Sequence, residues 1–103
     1  MRFIVLPEAE GDAIAAAVWY EDQKPGLADE FLAEIGAAFE MVRQNSQSAS
    51  LLEYYSGHHE IRRRLLHRFP YAVVYLCRGE ETIVVAITHA RRQPLHWLGR
   101  ISR

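Results

Sequence analysis

Apolar and polar positions follow two different periods along this chain. Residues 27–44 carry the cleanest helical one. Ala28, Phe31, Leu32, Ile35, Ala38, Phe39 and Val42 recur at three- and four-residue steps, while Asp29, Glu30, Ala33, Ala37 and Glu40 fall opposite. An earlier helix is predicted over residues 7–23. Pro7 suits its first position, Glu8, Glu10 and Asp12 complement its dipole, and Ala9, Ala13, Ala16, Ala17 and Tyr20 share its inner face. Ile14 and Val18 fall on another flank and are expected to stay partly exposed. Pro25-Gly26 separates the two helices, which predicts an antiparallel helical hairpin.

The period then changes. Residues 71–77 (YAVVYLC) and 82–88 (TIVVAIT) are β-branched and aromatic with almost no charge, the pattern of central strands buried on both sides. Arg78-Gly79-Glu80-Glu81 between them predicts a hairpin turn. Residues 61–69 form a further strand, with one face in solvent because it carries Arg62, Arg63, Arg64, His67 and Arg68. Pro70 belongs at a strand end. Residues 2–6 make a short first strand, and residues 51–60 an irregular crossing with a short extended piece at 52–55. The order β-α-α-β-β-β predicts an α+β fold, with the helical hairpin packed on one face of a mostly antiparallel, twisted sheet. The other sheet face is expected to be open and lined partly by arginine.

Length and composition narrow this picture. A chain of 103 residues, half of them apolar, predicts one domain over residues 1–103 with room for one core. The single Cys77 lies in a predicted strand and excludes a disulfide framework. No segment reaches the roughly 18 consecutive apolar residues of a membrane span, and the N-terminus lacks a signal-peptide core, so a cytoplasmic protein with no membrane partner is expected. A net charge of −1 conceals an asymmetry. Residues 1–59 hold ten acidic side chains against three basic ones; residues 60–103 hold three acidic ones against nine arginines. Arginine suits planar, bidentate contacts to phosphate or carboxylate, although a charge run also makes an ordinary solvated face.

Candidate chemistry gathers in the ending HARRQPLHWLGRISR. His89 at a strand end beside Arg91 and Arg92 has the residue types for general acid–base work on a phosphodiester; a backbone-bonded strand cap is the structural alternative. Trp97 and Arg100 follow at helix-like spacing, and Trp97 equally suits sealing the edge of the core. His58, His59 and Glu60 lack the spacing of metal ligands, and no metal or other cofactor is expected. Tyr54, Tyr55, Tyr71 and Tyr75 have faces on which bases stack, and in strands of a small core they serve packing. No phosphate loop, dinucleotide fingerprint or Ser/His/Asp set is present.

Three stretches carry a resemblance that runs nearly end to end: LPEAEGDAIAAAVWYEDQKPGLADEFL, IRRRLLHRFPYAVVYL and HARRQPLHW. The combination of RFPY with an H-x-R-R-x-P-x-x-W ending resembles the RelE/ParE superfamily of toxins from type II toxin–antitoxin modules, and more its ParE branch, often labelled plasmid-stabilisation proteins. The resemblance implies a growth-inhibiting toxin silenced by a small ParD-like antitoxin whose C-terminal segment folds around it. Ile14, Val18 and Tyr20 are the expected antitoxin contacts, and an acidic antitoxin segment would also mask the arginine strand. ParE-like members act on DNA gyrase without catalysis; RelE-like members cut messenger RNA at the ribosome. The gyrase reading implies target contacts from Arg62, Arg64, Arg68, Arg91, Arg92, Trp97 and Arg100. Under the alternative, the positions resembling the ribonuclease site are Arg64, Arg68, His89 and Arg91. That set has no general-base carboxylate unless Glu60 reaches it, and Lys24 is the chain's only lysine. A non-toxic nucleic-acid-binding module is the third reading.

Overall fold

The computed structural model describes residues 2–52, 55, 57–91 and 95–101. Its elements run β1 (Arg2–Val5), α1 (Pro7–Gln23), α2 (Leu27–Gln44), β2 (Ser50–Leu51), β3 (Glu60–Leu65), β4 (Tyr71–Arg78), β5 (Glu81–His89) and α3 (Leu98–Ile101). The sheet order is β1-β5-β4-β3-β2, with β1 parallel to β5 and every other pair antiparallel. The α1–α2 hairpin packs on one face, so the expected α+β architecture is the observed one. No helix among the described residues is long and apolar enough to cross a membrane.

Local chemistry explains the boundaries. Pro7 opens α1, where its missing N–H needs no partner. Gly26, at φ 94°, makes the left-handed step that starts α2. No side chain at position 26 exists to cap that helix, and Glu21 does it from α1 by accepting the N–H groups of Gly26 and Ala28, each at 3.1 Å. Gly79, at φ 57°, forms the tight β4–β5 turn with Glu80.

A β-bulge re-phases the two central strands. Val74 pairs with Ala86 but Tyr75 pairs with Val84, which leaves Val85 without a register partner on β4. Val84 and Ile87 therefore face the hairpin with Val73 and Tyr75, while Val85 and Ala86 both turn to the opposite side. Under the hairpin, Ala9, Ala13, Ala16 and Ala17 bring α1 close to the sheet, as their spacing predicts. Phe31, Ile35, Ala38 and Val42 fill the space beside them.

The expectation of an open, arginine-lined second face is overturned. That face holds its own cluster of Leu52, Ile61, Val74, Leu76, Ile83, Val85, Ala86 and Trp97, with Tyr55, Leu95, Leu98 and Ile101 packed against it. Strands that are apolar on both sides must be covered on both sides, and the tail from Leu95 supplies the cover. Trp97, expected among the target contacts, is 2% exposed and seals this cluster.

The strand alternation of β3 decides where its arginines go. Ile61 and Arg63 pair with Leu76 and Val74 and face the second cluster. Arg62 and Arg64 pair with Tyr75 and Val73, and so share the hairpin's face. Strand β3 itself ends at Leu65, short of the expected residue 69. The expected extended piece at 52–55 is instead β2 at Ser50–Leu51, and residues 53 and 54 lie outside the described set.

Candidate interaction surface and the arginine set

Most of the arginines are engaged with this chain's own groups. Arg62 donates from Nε to Glu60 Oε2 at 2.7 Å, and from Nη1 to the carbonyls of Ala49 at 2.6 Å and Gln47 at 3.2 Å. It therefore ties down the loop that follows α2. Arg64 reaches the same loop, donating to Ser48 Oγ at 2.6 Å. Arg68 sits elsewhere: its side chain meets Glu30 at 2.6 Å and its backbone N–H meets Glu34 at 2.8 Å. The hydrogen bond from Arg68 holds the Glu30 carboxyl below its ordinary range. Both groups are exposed, so the pair adds little to stability.

Arg100 lies across the molecule, bonded through both terminal nitrogens to Asp12 at 2.7 and 3.2 Å. Arg91 is exposed, and among the described residues only its backbone N–H is held, by His89 Nδ1 at 3.1 Å. Arg92 lies outside the described residues. The structure thus brings Arg62 and Arg64 together and distributes the others.

The loop held by Arg62 also receives the Tyr75 hydroxyl, which donates to the Ser46 carbonyl at 2.7 Å. Burial, followed by the neighbouring Cys77, pushes the Tyr75 phenol above its ordinary value of 10.0. The unfolded phenol ionises first, so this group's contribution is complete below pH about 10 and is lost as pH rises through the folded value. Tyr75→Phe should cost about 1–2 kcal/mol at neutral pH, because the Ser46 carbonyl loses its main partner. Its stability should then decline less steeply than wild type above pH about 10, leaving the slope of Cys77, whose thiol burial also raises. Urea unfolding across the alkaline range checks both parts; parallel curves would refute the assignment.

His89 lines a cleft of about 240 Å³ with Asp12, Ala15, Ala16, Trp19, Tyr71 and Ile87. Its ring meets Tyr71 edge-on, with centroids 5.3 Å apart. Its Nδ1 accepts the Arg91 N–H, which leaves the neutral ring's proton on Nε2. The nearby Asp12 carboxylate is committed to Arg100 and to the backbone N–H of Ile87 at 3.1 Å. Arg64 is two strands away, since it pairs with Val73, which pairs with Ile87; that is about 10 Å of strand spacing. The residues expected for ribonuclease chemistry are therefore not gathered around one point.

The outer face of the hairpin is different in kind. Ile14 and Val18 are 61% and 57% exposed, as their helical phase predicts. Beside them runs a cleft of about 270 Å³ between the helices, lined by Val5, Ala9, Glu10, Ala13, Ile14, Leu32, Ile35 and Phe39. Leu32, placed inside by the sequence pattern, is 42% exposed. The apolar stripe of α2 is wider than one sheet can cover, and that width was the available signal. Tyr20 points away from this cleft, into an aromatic cluster with Phe31, Phe69 and Tyr71. Trp19, 57% exposed, was not anticipated at all.

Comparison with known proteins adds two findings. The family described as "ParE toxin of type II toxin-antitoxin system, parDE" matches residues 3–94. A solved structure titled "Chromosomal ParDE TA system from P. aeruginosa" is similar in fold, with a TM-score of 0.75, 21% identity, and coverage of 86% of this chain and 95% of that one. No curated protein sequence matches the chain.

Proposed function

The chain belongs to the ParE toxin family of type II toxin–antitoxin systems, and from that premise we propose that it arrests growth by binding DNA gyrase and is silenced by a ParD-like antitoxin. The match over residues 3–94 carries this reading, because it takes in the hairpin, all five strands and His89. The antitoxin's C-terminal segment folds onto the hairpin, where Ile14, Val18 and Leu32 present apolar surface that the chain leaves uncovered. Tyr20 supports that surface from beneath through its ring contact with Phe31.

Gyrase contact falls to the arginines least needed for the fold. Arg64, Arg68 and Arg91 fit this role. Arg62 and Arg100 are fastened to backbone carbonyls, and Trp97 is buried. The scattered placement of Arg64, Arg68 and His89 favours inhibition by binding over cleavage of messenger RNA.

Expression of the chain alone should stop growth, and co-expression of the neighbouring antitoxin gene should restore it. Purified protein should inhibit gyrase supercoiling and leave translated messages intact. Arg64→Ala, Arg68→Ala and Arg91→Ala should each weaken inhibition without changing the melting temperature appreciably. Cleaved messages with unimpaired supercoiling would establish the ribonuclease reading instead, and normal growth on expression would remove the toxin's activity altogether.

A further inference from the structure

Nine acidic residues lie on the two helices of the hairpin, and they are not equivalent. Asp12 holds Arg100, Glu30 and Glu34 hold Arg68, and Glu21 caps α2. Glu10, Asp22, Asp29 and Glu40 have no ion pair or side-chain hydrogen bond among the described residues. Their positions form a pattern. Glu10, Ile14, Val18 and Asp22 follow one another at four-residue steps on α1. Asp29, Leu32, Gly36 and Glu40 follow at three- and four-residue steps on α2. Residues so spaced share one helix face. Glu10, Ile14 and Leu32 line the same cleft, and helical spacing carries the rest of each ladder along that groove's margins. Ile14 and Val18 form the middle of one bank, Leu32 and Gly36 that of the other, and each bank has a carboxylate at either end.

Gly36 stands within the second ladder. It is exposed in the middle of α2, and a Cβ added there would meet nothing within 4 Å. A helical glycine is unfavourable relative to alanine, and no contact among the described residues requires one at this position. It does leave the backbone open to close approach from outside.

We infer that this groove is shaped for a helical segment of about 12 residues (about 18 Å), with aliphatic side chains along its middle and Lys or Arg at both ends, seated against the Gly36 backbone. The inference rests on the antitoxin reading above and specifies the chemistry of that antitoxin's C-terminal segment. Charge complementarity selects this occupant. A second copy of the same face would set carboxylates against carboxylates, and an acidic segment would do the same. This occupant of the hairpin groove is separate from the acidic segment expected over the arginine strand.

Titration calorimetry with the full-length product of the neighbouring antitoxin gene tests this at low and high NaCl. Wild-type affinity should fall at least about tenfold with added salt, as exposed charge pairs are screened. A Glu10→Gln/Asp22→Asn/Asp29→Asn/Glu40→Gln variant should bind about tenfold more weakly at low salt and lose most of that salt dependence. Val18→Asp should abolish binding. Gly36→Ala should raise Tm by about 4–8 °C and still weaken binding several-fold.

Failure of the wild-type protein to bind the antitoxin at any salt would sink the antitoxin reading itself. Binding that is tight but indifferent to the four neutralised carboxylates would overturn the basic-ended helix and leave the antitoxin reading standing. Full affinity in Val18→Asp would place the occupant elsewhere, and full affinity in a stabilised Gly36→Ala would rule out the close approach.

Discussion

Phe31→Ala is expected to lose about 3–5 kcal/mol, enough to leave little folded protein in a domain whose total stability is of order 5–15 kcal/mol. Phe31 is fully buried, and its ring meets those of Tyr20 and Phe69 at 5.2 Å and Tyr71 at 5.3 Å. Those neighbours come from α1, the β3–β4 connection and β4, so removal of this one ring leaves a cavity where three parts of the chain meet. The walls are themselves large and rigid, which limits collapse into the space. Phe39 makes the useful contrast. It is only partly buried against the core, with Phe3 at 5.5 Å, and Phe39→Ala should cost about half as much. Urea denaturation followed by circular dichroism compares the two; equal midpoints would contradict the difference in packing.

Asp12→Ala should be nearly as damaging for an electrostatic reason. Strand β1 stops at Val5, and Leu6 donates the last bond from that side, to the Val84 carbonyl at 3.0 Å. Beyond that point no strand among the described residues neighbours β5 on this edge, and two side chains take over. Asp12 accepts the Ile87 N–H, and Arg100 donates to the Val85 carbonyl at 2.9 Å. Side-chain exposures of 16% and 19% mean that either charge, left alone, would be largely desolvated.

Loss of Asp12 therefore strands a guanidinium and orphans a backbone donor together, at about 2–4 kcal/mol. Asp12→Ala/Arg100→Met should recover part of that loss, since an apolar pair of similar bulk leaves no bare charge. The double-mutant cycle in thermal or urea unfolding reads the coupling directly. Additive single losses would mean that the two residues act independently.

The fold was largely legible because helices and strands here announce themselves by period. The alanine face of α1, the Pro-Gly turn and the two central strands all came from spacing alone. Long-range pairing did not. Nothing in residues 2–5 says that they run parallel to residues 81–84, because both segments are short and uniformly apolar. The double-sided apolarity of β4 and β5 already required a second cover, and an arginine-lined open face was inconsistent with it.

The arginines depart from the expected clustering for a related reason. Composition gives a side chain's charge but not its partner, and Arg62, Arg68 and Arg100 find acceptors 13, 38 and 88 residues away. The exposed flank of α1 was readable in Ile14 and Val18. Leu32 falls on the inward side of the pattern because a helix stripe wider than its neighbour does not say which margin stays wet.

The parallel contact between the first and penultimate elements also sets a timetable. Arg2 bonds to the Glu80 carbonyl and β1 finds its register only against residues 81–84, so the sheet closes after four-fifths of the chain has been made. Contacts this distant along the sequence slow folding, whereas those between α1 and α2 are local in sequence. During synthesis the residues of the hairpin, proposed above as the antitoxin's seat, are complete while the sheet that carries the arginine strand is still unfinished.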